Sequence, residues 1–355
     1  MTIYLEPVGL LSGPAAALAV AVGDALPLTG GPLAFTHLHR LERVAGGAHA
    51  FPLPVAKARH AAVTDTSLAE RLDLLSAPRT PFAGLATGTA TPSRIMGIVN
   101  VTPDSFSDGG AHADPDRAIA HGRALIEAGA DIIDIGGEST RPGAEPVDPQ
   151  TELARVLPVV KALAGGKVPV SIDTRHAAVM AAAMAAGATI VNDVTALTGD
   201  ADALSLVAAG SASVVLMHMA GEPRSMQAAP AYDDVVLDIF DALAARIAAC
   251  EAAGIARARL CIDPGIGFGK TLEHNLELLG RLTILHGLGC PVLVGASRKR
   301  FIGRIGGDAP VGQRLGGSLA AALAAQARGC QILRVHDVAE TRQAVDVAAR
   351  IAAGG

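Results

Sequence analysis

The chain has 355 residues, half of them apolar and 18% charged, enough for a large buried core with an appendage. A net charge of −5, 3% aromatic residues and no Trp exclude both the basic footprint of a nucleic-acid binder and a stacking platform for single strands. The four cysteines (Cys250, Cys261, Cys290, Cys330) are widely spaced with no C-x-x-C pair, the usage of buried thiols in a reducing cytoplasm rather than of zinc ligands or disulfides.

Residues 1–90 come first. Their longest apolar run, 15–22, is too short to cross a bilayer, and no Lys or Arg precedes Arg40, so neither a membrane span nor a secretory signal is expected. Short apolar pieces at 26–28 and 33–35, a helix at 68–75 and a Gly/Pro/Thr-rich link at 77–93 predict a small α/β extension. Its expected role is to cover part of the main domain or to meet another subunit, rather than to carry a separate activity.

From 91 to 355 one pattern repeats: a short apolar run, a polar or Gly-rich turn, then an Ala/Leu-rich helical stretch. The predicted strands are 95–101, 131–135, 168–172, 189–194, 213–217, 259–262, 291–294 and 331–335. They are rich in β-branched residues and mostly continuous, as strands covered on both faces are. Helices are predicted at 115–128, 151–163, 177–186, 233–253 and 317–328, with Asp148 and Pro149 as the start signal of the second. Eight such units in about 250 residues predict a closed TIM (β/α)8 barrel behind the extension. A doubly wound sheet would carry a Gly-rich fingerprint after its first strand, where this chain has Asn100-Val-Thr-Pro-Asp104.

In a barrel the chemistry sits at the carboxyl ends of the strands. Just past each predicted strand lie Asn100 and Asp104, then Glu138 to Arg141, Asp173, Asn192 and Asp193, His218, Asp263, Ser297 to Lys299, and Arg334 to Asp337. Any one of these is as readily a helix cap or a loop ion pair. All eight strands ending this way is a pattern that packing alone does not demand. Asp173, Asp263 and Asn192 suit a flat ligand that donates several N–H groups. Arg141, Lys299, Arg334 and His336 suit an anion with several oxygens, such as a diphosphate. Asn100, Asp104 and Asp108 suit Mg2+, a hard cation that takes oxygen ligands. Together they imply departure of diphosphate from a heteroaromatic carrier.

Two segments imitate other functions. Residues 265–271 look like a phosphate loop, but three residues separate Gly265 from Gly269-Lys270 where that motif needs four. Arg298-Lys299-Arg300 is too small a basic cluster to mark a nucleic-acid face.

Residues 96–110 (MGIVNVTPDSFSDGG) and 131–143 (DIIDIGGESTRPG) resemble the two signature segments of the dihydropteroate synthases, in the pterin-binding family. SIDT at 171–174, VNDV at 191–194, LMHM at 216–219, IDPGIGFG at 262–269, SRK at 297–299 and RVHD at 334–337 are similar to the family's remaining motifs, in its order. The resemblance implies a transferase of folate biosynthesis, in which para-aminobenzoate displaces diphosphate from dihydropterin-methyl diphosphate. It implies that Asp173, Asn192, Asp263 and Lys299 hold the pterin edge while Arg334 stacks on the ring. Asn100, Arg141 and His336 would hold the diphosphate, with Mg2+ joined to the first loop through Asn100 and Asp108. Thr140, Arg141, Pro142 and Phe106 would build the aminobenzoate pocket, with Phe268 and Ser297 on its other side. Arg141, Lys299, His336 and Asp108 form the implied catalytic set, loop 102–112 is expected to order over the diphosphate, and a cytoplasmic homodimer through the last barrel helices is implied. A methyltransferase sharing the barrel would need neither signature loop, and a silent paralogue would have lost Asn100, Arg141 and His336.

Overall fold

The computed structural model describes residues 3–87, 93–102, 114–139, 145–221, 226 and 230–354. Asp104, Phe106, Asp108, Thr140, Arg141 and Pro142, and all of loop 102–112 except Thr102, lie outside the described residues.

The extension runs β1 (Tyr4–Leu11), α1 (Gly13–Ala21), β2 (Leu26–Pro27), β3 (Ala34–Val44), β4 (Gly47–Pro54), α2 (Val55–Ala62) and α3 (Thr66–Ser76). The spine is β3, with antiparallel β1 along one edge and β2 and β4 sharing the other. The sequence showed only the apolar piece 33–35 at the start of β3, because the rest of the strand is mostly polar and its buried residues Phe35, Leu38 and Leu41 recur every third residue rather than every second. Leu5, Phe35 and Leu38 pack with Val55, Leu72 and Leu75 in the extension's own core, while Tyr4 and Leu41 join that of the barrel.

Eight parallel strands follow: β5 (Arg94–Asn100), β6 (Ile132–Gly136), β7 (Val170–Asp173), β8 (Ile190–Asp193), β9 (Ser213–Met217), β10 (Leu260–Asp263), β11 (Leu293–Val294) and β12 (Ile332–Val335). Their order is β10-β9-β8-β7-β6-β5-β12-β11, and a parallel bridge from Ile262 to Val292 closes the ring. Each predicted strand is present, displaced by two residues at most. The helices between them are α4 (Pro115–Glu127), α5 (Pro149–Leu163), α6 (Ala177–Ala185), α7 (Ala203–Ala209), α8 (Val235–Ala252), α9 (Leu272–Gly280), α10 (Arg300–Ile305) and α11 (Leu315–Gln326), with α12 (Val338–Ala353) after the last strand. Asp148 caps α5 as its sequence predicts, accepting from the backbone N–H groups of Gln150 and Thr151 ahead of Pro149. All four cysteines are free and buried, and no described helix is long and apolar enough to cross a membrane.

The barrel interior is layered. Met96, Ile132, Ile190, Val215, Cys261, Leu293 and Ile332 form one apolar layer, and Phe82 from the link to the extension packs into it. Phe82 is carried on a tight turn, with Ala83 and Gly84 both at positive φ and Phe82 bridged to Leu85. Side chains on one strand face recur every second residue. The next inward positions, two residues on, are therefore Ile98, Asp134, Asn192, Met217, Asp263, Gly295 and Arg334. An apolar floor thus supports a layer with four polar or charged side chains at the carboxyl ends.

The extension docks on the barrel flank through charged pairs. Arg43 donates to Asp238 (2.7 Å), Asp241 (2.8 Å) and the Tyr4 hydroxyl (2.9 Å), and Arg281 pairs with the buried Glu6 at 3.1 Å. Tyr4 also meets Phe240 of α8 edge-on at 5.5 Å.

Candidate active site

The site is built around a carboxylate that the sequence reading missed. Asp134 is fully buried in β6, and one of its oxygens accepts from Arg334 Nε (2.6 Å) and Asn192 Nδ2 (3.0 Å). Its other oxygen has no hydrogen-bond partner among the described residues. Such a buried, unsatisfied acceptor is costly unless a ligand supplies the donor. The available signal was the acid itself, since Ile132-Ile-Asp134-Ile135 places one charge inside an apolar strand.

Arg334 spans two carboxylates, because its Nη2 also donates to Asp173 Oδ2 at 2.6 Å. Burial works against the guanidinium, but Asp134 and Asp173 outweigh it and hold the group firmly charged. Burial pushes Asp173 and Asp263 above the ordinary carboxylate range, while Arg334 beside the first and Lys299 near the second pull them back. Asp263 ends β10 and accepts from the Gly265 N–H at 2.7 Å.

Lys299 enters the site after β11. It donates to the Ile266 carbonyl, and its Nζ stands 4.4 Å from the ring centre of the half-buried Phe268. The neighbouring basic residues do other work. Arg298 sits at a left-handed φ of 58°, strained for a side chain of this size, and pairs with Asp337 through a 2.9 Å bond from Nε. Arg300 is exposed at the start of α10. Only the central member of the basic triplet serves the site.

Ser297 is buried, and its hydroxyl contacts the His336 ring Nδ1 at 3.1 Å and its backbone N–H at 3.3 Å. Asn100 is the half-buried last residue of β5, in register with Gly136 of β6. The structure therefore brings Asp173, Asn192, Asp263, Phe268, Ser297, Lys299, Arg334, His336 and Asn100 to one end of the barrel. Arg175, which the sequence did not single out, braces the rim through Glu138. Arg175 donates to both Glu138 oxygens (3.0 and 2.9 Å), and Glu138 also accepts from the Val147 N–H, so both flanks of segment 140–144 are tied down. The same end holds a cavity of about 590 Å³ beside Glu138, Arg175 and His218. A larger one of about 780 Å³ lies at the amino ends of the strands against the extension, away from these groups.

Burial lowers the Lys299 pKa to about 8, with Asp263 opposing the shift. Below that pH the site carries the lysine's positive charge, and above it the charge is lost, where an ordinary lysine would keep it. Catalytic efficiency is expected to fall as pH rises through about 8. Lys299→Arg, which stays protonated, should push that fall to higher pH even if its maximum rate is lower. An unmoved alkaline limb in a pH series of kcat/KM for the variant would assign the titration to another group.

Residues 96–336 match the family model of pterin binding enzymes. The chain is 49% identical over 259 residues to the dihydropteroate synthase of Neisseria meningitidis, covering 72% of this chain and 91% of that one. With the Escherichia coli K12 dihydropteroate synthase it shares 49% over 254 residues, or 71% and 89% of the two chains. The Xanthomonas albilineans dihydropteroate synthase solved with 4-aminobenzoic acid superposes with a TM-score of 0.71 at 51% identity, covering 77% of this chain and 98% of that one. The same enzyme solved with 7,8-dihydropteroate gives 0.69 at 49% identity over the same shares. With the barrel, its inward carboxylates and its cationic rim in place, the chain belongs to the pterin-binding enzymes and, within them, to the dihydropteroate synthase family.

Proposed function

We propose that the acidic centre of this barrel holds the pterin of dihydropterin-methyl diphosphate, and that the cationic rim beside it receives the departing diphosphate. The observation that carries this reading is the buried, unpaired oxygen of Asp134 beside Asn192, Asp173 and Asp263. Acceptors at that density match a heterocycle edge rich in N–H groups. Lys299 closes the pterin edge, and Arg334, already fixed by two carboxylates, presents its plane to the ring.

In the transfer, the arylamine nitrogen of para-aminobenzoate forms a bond to the methylene carbon as the carbon–oxygen bond to diphosphate breaks. The amine then loses a proton. A neutral arylamine needs no activated Ser or Cys. The barrier lies in the departure of a highly charged group, so Lys299, His336 and Arg141 lower it by meeting charge that grows as the bond breaks. Thr140, Arg141, Pro142 and Phe106, with Phe268 and Ser297 opposite, form the aminobenzoate pocket.

Mg2+ keeps several waters and takes few protein oxygens, so the amide of Asn100 at the end of β5, with Asp108, fits its needs. When bound there it would neutralise diphosphate charge. We further infer a cytoplasmic homodimer in which the exposed Val347 and Ile351 of α12 face a second copy, and an organisation in which residues 1–90 cover the barrel flank while 91–355 carry the chemistry.

The reading is tested by following diphosphate release, which should require both para-aminobenzoate and the pterin diphosphate. Arg141→Ala should then lose turnover by on the order of 100-fold or more, the scale of one removed charge-stabilising donor. Its pterin affinity, by calorimetry, should change far less. Retained turnover would place the diphosphate clamp elsewhere.

A further inference from the structure

Lys270 belongs to the segment that imitates a phosphate loop, yet the transfer described above makes no use of it. The residue is 3% exposed. Its ammonium donates to the Phe268 carbonyl (2.9 Å) and the His218 carbonyl (3.4 Å) and contacts His218 Nδ1 at 3.2 Å. Burial pulls the Lys270 pKa down to about 7, with Asp263 opposing the shift; below that pH the group is an ammonium, and each of its three donors has a partner inside the protein, so none is left for a phosphate.

The third contact is chemically consistent. His218 is driven to about 3, first by burial and then by the charge of Lys270, so its ring is neutral. Nδ1 then accepts from the ammonium, and Nε2 carries the ring proton.

The three bonds join two different strand ends. His218 follows β9, whereas Phe268 lies in the turn after β10. The backbones are in close contact there: a Cβ on Gly265 would stand 2.0 Å from the His218 carbonyl oxygen, and one on Gly269 would stand 2.7 Å from that of Ala220. Both glycines have positive φ, of 68° and 60°. From the other side the Tyr232 hydroxyl donates to the Gly269 carbonyl at 2.8 Å. The same turn supplies the Ile266 carbonyl to Lys299 and puts the Phe268 ring under that cation.

We propose that Lys270 is a positioning residue for the arylamine: its buried ammonium locks the 264–269 turn onto the end of β9 and so sets where Phe268 stands beside the reacting pterin. This rests on the reading that Phe268 lines the aminobenzoate pocket. Without the ammonium, two carbonyls and a ring nitrogen lose their donor, and the turn keeps its bonds to Tyr232, Asn275, Lys299 and Asp263 together with its glycine contacts.

The test is Lys270→Met in the full chain. The KM for para-aminobenzoate is expected to rise about tenfold or more, while kcat at saturation and the calorimetric affinity for the pterin diphosphate change less than about threefold. Should that variant fail to fold, Tyr232→Phe removes one bond from the same turn and is expected to raise the same KM by a few-fold without moving pterin affinity. Equal loss of pterin and aminobenzoate affinity, or no change in either, overturns the proposal. Phe268→Ala separates the two readings: if it leaves the aminobenzoate KM unchanged, Phe268 is not in that pocket, whatever Lys270 does. If Phe268→Ala raises that KM and neither Lys270→Met nor Tyr232→Phe does, the positioning role alone is wrong.

Discussion

Arg334→Met is expected to destabilise the protein by about 3–5 kcal/mol and to abolish measurable turnover, because it leaves two buried carboxylates without their shared cation. Asp134 is completely buried and Asp173 nearly so, and both lose a 2.6 Å contact to the guanidinium. Methionine restores much of the packed length of the side chain, so the loss reports charge more than cavity. Thermal or denaturant unfolding checks the first part, with the same experiment on Arg334→Met combined with Asp134→Asn. Neutralising one stranded carboxylate should recover part of the lost stability, since the two changes act on one network. A double variant no more stable than Arg334→Met alone would mean that Asp134 does not depend on Arg334 for its place in the barrel.

Asp173→Asn should weaken binding of the pterin diphosphate by roughly 1.5–3 kcal/mol, about 10- to 150-fold, the range for a hydrogen bond to a charged partner. The structure adds a condition that the sequence did not contain. Asp173 also holds Arg334, so the variant should lower unfolding stability, and its effect on affinity should shrink in the Arg334→Met background. Calorimetric titration of the single and double variants measures both. Affinity unchanged in Asp173→Asn would remove this residue from the pterin edge.

Much of the fold was legible because barrel strands are covered on both faces and so leave near-continuous apolar runs in the sequence. The extension was less so. Its longest strand, β3, is mostly polar and its buried residues do not alternate, which hid it from any search for apolar runs. Most site residues were visible for a topological reason, since βα units end their strands at one rim, and a polar residue just past a strand falls there. Asp134 escaped that search because it lies two residues inside β6 rather than beyond it.

The sequence by itself determined the barrel, its strand ends and the family, since strand period, turn chemistry and motif order are local properties of the chain. Only the tertiary structure decided which charges meet. Arg334 is 200 residues from Asp134 and 161 from Asp173, and the pairing exists because ring closure brings β12 round to stand near β6 and β7. The same closure turned a would-be phosphate lysine, Lys270, into a strut between β9 and β10, and divided Arg298, Lys299 and Arg300 among a brace, the site and the surface. Those outcomes depend on distances across the ring, which no stretch of sequence contains.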